Sequence, residues 1–413
     1  MRLLESELYQ KDLAAVTSLD LPWDRLAGRS VMISGATGMI GSTLIHVLMK
    51  KNREDGLGCH IYALGRNVSK AHSRFQECWD DKDFTFIQCD IDDEDGMRTA
   101  FAAAGLTAAG EKAEAAPAGA GEQHNATAGK TAEEAPAVTG SGNPGDVQSA
   151  GSGNPGEQQP RRVDYVFHAA SNTHPVAYAT DPIGTVLTNI IGLNNLLKFA
   201  ADQKAERFAF ASSNEIYGEN RGDAELFDEK YCGYIDCNTM RAGYPESKRA
   251  GEALCQAYIR QRGLDVVIPR FTRSFGPSLL KTDTKALSQF IHKGVAGEDI
   301  VLKSAGTQYY SYTYVCDAVA GLLYVLLLGT CGEAYNIADR GCDIRLKDLA
   351  QIIADYAGRK VVFEIPDATE AAGYSKATKA LLDSSKLQRL GWKAQFDMKT
   401  ALQHTIDILR ETE

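Results

Sequence analysis

Tyr244 and Lys248 stand four residues apart in YPESK, and on a helix that spacing projects both side chains from one face. A lysine cation beside a phenol lowers the phenol's pKa, giving a base that takes a hydroxyl proton while hydride leaves the same carbon. The same spacing also arises when a half-buried tyrosine precedes a surface lysine, so the pair needs support. Ser213 in SSNEIYG (212–218) supplies it, placed just past the apolar run 208–211. A hydroxyl at the carboxyl edge of a sheet can hydrogen-bond a reacting oxygen. Taken alone, that serine is equally a helix cap or turn residue.

Hydride chemistry needs an acceptor. In SGATGMIGS, Gly35, Thr37, Gly38, Met39, Ile40 and Gly41 follow an apolar run, Ser30 to Ser34, and open a helical pattern, Ser42 to Lys51. Glycines in that context let backbone amides approach a pyrophosphate at a helix N-terminus. The residues therefore point to a bound NAD+ or NADP+. The second strand reads Tyr62, Ala63, Leu64, Gly65, Arg66, Asn67, without the acid that an NAD-selective site carries near position 65. Arg66 either meets a 2′-phosphate, which leans toward NADP, or is a solvated loop residue. Asp90 and Ile91, after the third strand, suit the adenine edge and face.

These groups require a scaffold that brings them to one edge. Apolar strand candidates recur at 61–64, 84–87, 163–167, 208–211 and 266–269, most of them separated by helical stretches. Strands alternating with helices predict a doubly wound parallel Rossmann sheet covered on both faces. Residues 30–275 are read as this dinucleotide-binding domain, residues 1–29 as an amphipathic helical leader, and residues 276–413 mainly as a smaller mixed α/β substrate lobe. Between 102 and 162 the composition shifts to Ala, Gly, Glu, Pro and Ser, and GSGNPG occurs at 140–145 and again at 151–156. Such a stretch buries too little apolar surface to offset its ordering entropy, so a disordered insertion is expected.

With 413 residues and 44% hydrophobic content, the chain has material for a large core. Its 54 acidic and 44 basic residues give a net charge of −10, the wrong sign for a nucleic-acid partner. An anionic small molecule would have to be drawn by local cations such as Arg273, with Lys281 and Lys285 as further candidates. The longest apolar run, Ala318 to Gly329, is too short to cross a bilayer and residues 1–29 do not read as a signal peptide, so no membrane role and a cytoplasmic location are expected. Nine cysteines are scattered without a CxxC pair. They are read as reduced thiols, with no metal site expected, and Cys232 and Cys237, the nearest pair, lack partner ligands.

Together, Thr37 with Gly38 and Gly41, HAAS at 168–171, SSNEIYG and YPESK resemble the extended short-chain dehydrogenase/reductases that modify nucleotide sugars. The resemblance covers nearly the whole chain outside 102–162. Within that family, RAGYPESKRAGE (241–252) is most similar to the UDP-glucuronate decarboxylases. It implies a catalytic trio of Ser213, Tyr244 and Lys248, with Tyr244 and Lys248 also meeting the cofactor, Ala169, Ala170 and Ser171 lining it, and Glu215 as a further acid or base. It also implies a tightly held NAD(P), a nucleotide-diphosphate sugar as substrate, and a homodimer.

Oxidation at C4 would place a ketone β to a C5 carboxylate, which then loses CO2 with little acid–base help. A dehydratase needs an acid to expel the C6 hydroxyl, and Asn214, where many dehydratases carry Asp, cannot donate a carboxylic proton. Dehydration and epimerisation remain alternatives, as does a non-catalytic nucleotide-binding protein that kept the fold. Two departures stand out. Relatives usually carry Arg in Q-T-R-x-[FY]-x-Y-V, where this chain has Tyr310, while Arg273 stands where relatives often have a substrate-contacting Asn. Arg273 either replaces the missing cation, meeting a diphosphate or sugar acid, or forms an intrachain ion pair.

Overall fold

The computed structural model describes residues 2–106, 162–171, 173, 180–281, 283–364 and 378–412. Fourteen strands are described: β1 Ser30–Ser34, β2 His60–Gly65, β3 Phe84–Gln88, β4 Tyr165–His168, β5 Arg207–Phe210, β6 Ser212–Ser213 and β7 Val266–Phe271, then β8 Arg273–Phe275, β9 Ile300–Leu302, β10 Tyr309–Tyr314, β11 Ala334–Ile337, β12 Asp343–Arg345, β13 Val361–Phe363 and β14 Lys379–Ala380. The main sheet runs β11-β7-β5-β4-β1-β2-β3, with the short β6 beside β7. Every pairing in it is parallel. This is the doubly wound sheet that the strand–helix alternation predicts.

The run SVMIS forms β1 at the bounds expected, with all five residues buried, as a central strand covered on both faces requires. Strand order reverses direction between β1 and β4, and in open α/β sheets ligands collect beyond the carboxyl ends at such a switch point. The smaller part is mixed. In it β10 lies between β12 and β14 and also pairs with β8, while β9 and β13 form a separate parallel ribbon. Helices Ala286–Ala296, Leu346–Ala357 and Met398–Thr412 pack around this part.

The boundary expected at 275/276 does not cut the chain in two. Strand β11 returns to the main sheet as its edge, pairing with β7 through Ala334↔Ile268 to Ile337↔Phe271. Helix Val315–Leu328, buried through Leu327, packs against helix Met39–Asp55 of the main layer. The expected leader holds helix Glu7–Thr17, started by Ser6, whose Oγ accepts from the Tyr9 amide. Asp12 on its inner face is 1% exposed and accepts from the Tyr314 phenol at 2.5 Å and from His404 Nδ1 at 2.8 Å.

The stretch read as an insertion is narrower at its start. Ala102 and Ala103 close helix Glu94–Ala103, and Leu106 is buried, because the apolar face carried by Met97 and Phe101 continues to it. Residues 107–161 lie outside the described residues, and the expectation of disorder lies there with them. Among the described residues no helix is long and apolar enough to cross a membrane.

Candidate active site

The turn after β1 has little room. Gly35 has φ +69°, and a Cβ on it would fall 2.7 Å from Ala169 C and Ala170 N; one on Gly41 would fall 2.6 Å from Gly35 O. The turn is thereby pressed against the chain leaving β4. Helix Met39–Asp55 then starts at Gly38 with no side-chain cap, so its first amide groups are left for an external acceptor. Thr37, Gly38, Met39 and Ile40 are half-buried around that mouth. This cradle fits a dinucleotide pyrophosphate. Gly35→Ala should abolish dinucleotide binding in calorimetric titration and lower thermal stability by about 1–3 kcal/mol. Retained binding would show that the cradle lies elsewhere.

The segment after β4 is fixed from below. Ser34 Oγ bonds His168 Nδ1 at 2.7 Å and accepts from the Ala170 amide at 3.4 Å, while the Ala169 amide donates to Ser34 O. His168 is fully buried, stacked on Phe210 with centroids 5.9 Å apart, and its Nε2 has no hydrogen-bond partner among the described residues. Burial holds it well below the usual histidine range, hence neutral. Ser171 is half-buried at the end of this segment.

Arg66 and Asp90, read separately for the adenosine end, meet each other at 3.7 Å in an exposed pair. Ile91 is buried beside them and its carbonyl accepts from Asn195 Nδ2 at 2.8 Å.

The catalytic candidates do converge. Ser213 ends β6, and Tyr244 and Lys248 lie in the first turns of helix Gly243–Arg262. All three are buried. The Ser213 hydroxyl accepts from the Glu215 amide at 3.2 Å and lies close enough to the Tyr244 phenol to pull its pKa down. Lys248 Nζ donates to Ala211 O at 2.9 Å and lies 4.8 Å from the Phe210 ring centroid and 5.9 Å from that of Tyr244.

One expectation is corrected. The phenol of Tyr244 is raised above 10 rather than lowered, because burial outweighs the pull of the neighbouring Ser213 hydroxyl, and Glu215 adds a further upward push. The same burial pushes Lys248 down to about 7. A dry site disfavours both charged forms. Glu215 sits half-buried in the turn Asn214–Tyr217, with Oε2 3.8 Å from Arg241 Nη2, and Asn214 is buried beside it.

A network beneath these residues went unnoticed in the sequence. Ser212 Oγ donates to Glu252 Oε1 at 2.5 Å, and Arg270 clamps Glu252 through Nε at 2.9 Å and Nη2 at 2.6 Å. Arg270 Nη1 donates to the Tyr217 hydroxyl, which donates to Asn336 Oδ1 at 2.6 Å. Residue 212 next to Ser213, Glu252 one turn beyond Lys248, and strands β7 and β11 are thus tied into one frame. The spacing of Glu252 four residues after Lys248 was the available signal. Glu252→Ala leaves Arg270 buried without its acid, so unfolding stability should fall by about 3–5 kcal/mol. Denaturant melts check this; a loss within the surface range would show the clamp to be marginal.

Arg273 opens β8, in register with Tyr312 of β10. Its guanidinium carbon lies 3.7 Å from the centroid of the buried Tyr310 ring. Nη1 is buried and has no hydrogen-bond partner among the described residues. The intrachain ion pair that was the alternative for Arg273 is not seen among them. Lys285 is 3.8 Å from Asp283, and Lys281 is exposed.

A doubly wound sheet with a glycine cradle at its switch point and a Ser–Tyr–Lys trio at its carboxyl edge defines a dinucleotide-dependent oxidoreductive scaffold. The model of the NAD dependent epimerase/dehydratase family matches residues 31–140 and 145–338, and the chain belongs to that family. Among curated relatives, UDP-glucuronic acid decarboxylase 1 of Xenopus tropicalis is 31% identical over 249 residues, covering 60% of this chain and 57% of its own length. UDP-glucuronic acid decarboxylase 6 of Arabidopsis thaliana is 30% identical over 241 residues, 58% of this chain and 68% of its own. The solved UDP-glucuronic acid 4-epimerase of Bacillus cereus, in complex with UDP-glucuronic acid and NAD, superposes with a TM-score of 0.66 at 18% identity, covering 92% of this chain and 99% of that one. UDP-glucose 4-epimerase of Thermotoga maritima, with UDP-glucose, gives 0.67 at 19% identity, covering 93% and 99%. At these identities the two structures establish the fold.

Proposed function

We propose that the protein modifies a nucleotide-diphosphate sugar by transient oxidation at C4 and that its net reaction is decarboxylation of a UDP-hexuronate. The observation that carries this reading is the convergence of Ser213, Tyr244 and Lys248, all three buried, at the carboxyl edge of the sheet. The decarboxylase relatives favour the acidic substrate over a neutral one.

Gly35, Thr37, Gly38, Met39, Ile40 and Gly41 would hold the pyrophosphate, with Ala169, Ala170 and Ser171 beside it and Ile91 against the adenine. Bound there, the dinucleotide would supply a hydride acceptor for oxidation at C4 and a hydride donor for the reduction that follows. The acid missing from β2 is supplied after β3 by Asp90, which already engages Arg66. That pairing favours NAD+ over NADP+ and displaces the 2′-phosphate role for Arg66.

Ser213 orients the C4 hydroxyl and Tyr244 takes its proton. Tyr244 accepts as the phenolate and is neutral afterwards, so Lys248, held on Ala211 O, acts before the transfer by offsetting the phenolate charge. The ketone at C4 withdraws electrons from the C5–carboxylate bond, CO2 leaves, and the enolate takes up a proton at C5. Glu215, whose charge acts on the Tyr244 phenol, is the group that would hold that proton. Asn214 cannot supply the carboxylic proton that loss of a C6 hydroxyl requires.

Mass spectrometry of nucleotide sugars after incubation with the purified protein and NAD+ tests this. Loss of CO2 from UDP-glucuronate is expected. Loss of water, or an unchanged mass with inverted C4, would replace decarboxylation by dehydration or epimerisation, and no turnover across the panel would favour a binding role.

The homodimer is part of this proposal. Ile183, Leu187 and Ile191 are exposed at 71%, 40% and 40%, four residues apart along the helical stretch that begins at Pro182. An unpaired apolar stripe of this kind suits a second copy of the chain. Light scattering should give twice the chain mass, and Ile183→Glu with Leu187→Glu should give the monomer.

A further inference from the structure

We infer that Arg273 is the receptor for the sugar carboxylate, an inference that rests on the decarboxylase reading. The position of its guanidinium comes from strand register. Arg273 pairs with Tyr312 in a parallel ladder, and the Thr272 hydroxyl donates to Ser311 O at 2.8 Å, so the alignment continues one step back. Arg273 follows Phe271, the last residue of β7, by two positions. Phe271 is in turn the register partner of Ser213. Arg273 thus leaves the carboxyl end of β7 two residues beyond the row of the catalytic serine, with its guanidinium over the Tyr310 ring.

Its bonding differs from that of Arg270 and Arg207. Arg270 is answered by Glu252 and Tyr217, and Arg207 by Asp265 through two bonds. Arg273 rests on an aromatic face that fixes the plane of the fork but satisfies none of its N–H groups. Nη1 is closed off from water with no acceptor among the described residues. A buried donor left without a partner in a folded protein calls for an explanation, and a planar fork fixed at its face matches a carboxylate bidentately.

The carboxylate is favoured over the diphosphate by connectivity. It hangs from C5, the neighbour of the carbon that Ser213 and Tyr244 address, whereas the diphosphate leaves from C1 across the ring. The two departures from the family pattern, Arg at 273 and Tyr at 310, are thus one contact: the cation comes from β8 and the platform from β10.

Calorimetric titration of the holoenzyme with UDP-glucuronate, UDP-glucose and UDP separates the alternatives. The wild type should prefer UDP-glucuronate to UDP-glucose by about tenfold or more. Arg273→Gln should erase that preference while Kd for UDP-glucose and UDP stays within about twofold, and Arg273→Lys should restore part of it. Circular dichroism and retained NAD+ binding show that the variants fold. An equal loss for all three ligands would assign Arg273 to the diphosphate, and an unchanged preference would remove it from the site; either overturns the inference while leaving the proposed function standing. A wild type that binds no UDP-sugar overturns both.

Discussion

Tyr244→Phe should lower the rate of CO2 release from UDP-glucuronate by roughly 10²–10⁴-fold, the range for loss of a positioned acid–base group. The ring stays, so packing is unchanged, and only the hydroxyl near Ser213 is lost. The variant should therefore fold, bind NAD+ and bind the nucleotide sugar within about twofold of the wild type, so that the loss falls on kcat rather than KM. Ser213→Ala should cost less alone. Because both hydroxyls act on one proton, the double variant should be no slower than Tyr244→Phe by more than a few-fold. Stopped-flow absorbance of reduced nicotinamide gives the oxidation step directly. A loss below about tenfold would remove Tyr244 from the proton path.

Lys248→Met should abolish turnover and yet stabilise the cofactor-free protein. Burial holds the lysine near 7 in the folded chain, well below its ordinary 10.5. Between those two values the unfolded chain binds more protons than the folded one, so this residue makes stability rise with pH across that window. Below about pH 7 its full cost is present; above about 10.5 the cost is gone. Methionine fills the same space without charge, at the expense of the bond to Ala211 O. Melting temperatures of dinucleotide-stripped protein should favour Lys248→Met by a few degrees near pH 6, with the gap closing toward pH 10. A variant less stable than wild type at low pH would contradict the assignment of burial as the dominant force. The trade of stability for activity at one buried cation is characteristic of a working site.

Most of the sheet was legible because its strands are buried on both faces and therefore read as continuous apolar runs separated by helical patterns. SVMIS fell at the bounds of β1, and the runs at 61–64, 84–87 and 266–269 each lie within a strand. The residues 163–164 and 211, read as strand, instead lie just outside β4 and β5, where burial continues but ladder pairing stops. The trio at the sheet edge was legible for a local reason: Ser213 directly follows a strand, and helical spacing links Tyr244 to Lys248.

Less was visible where partners are distant in sequence. Nothing near Asp90 announces Arg66, and the clamp of Arg270 on Glu252 joins a strand to a helix. The phenol's upward shift was missed because spacing reports which groups are neighbours but not how dry their surroundings are.

Because β11 is laid down on β7 only after the chain has threaded β8, β9 and β10 into the second part, neither part is a contiguous cassette. A chimaera that exchanges residues 276–413 for those of a relative would also exchange the sheet's edge strand, Asn336 of the Arg270 frame and the helix packed beneath the glycine cradle. Recombination aimed at substrate choice must spare 315–338, taking the exchanged pieces from either side.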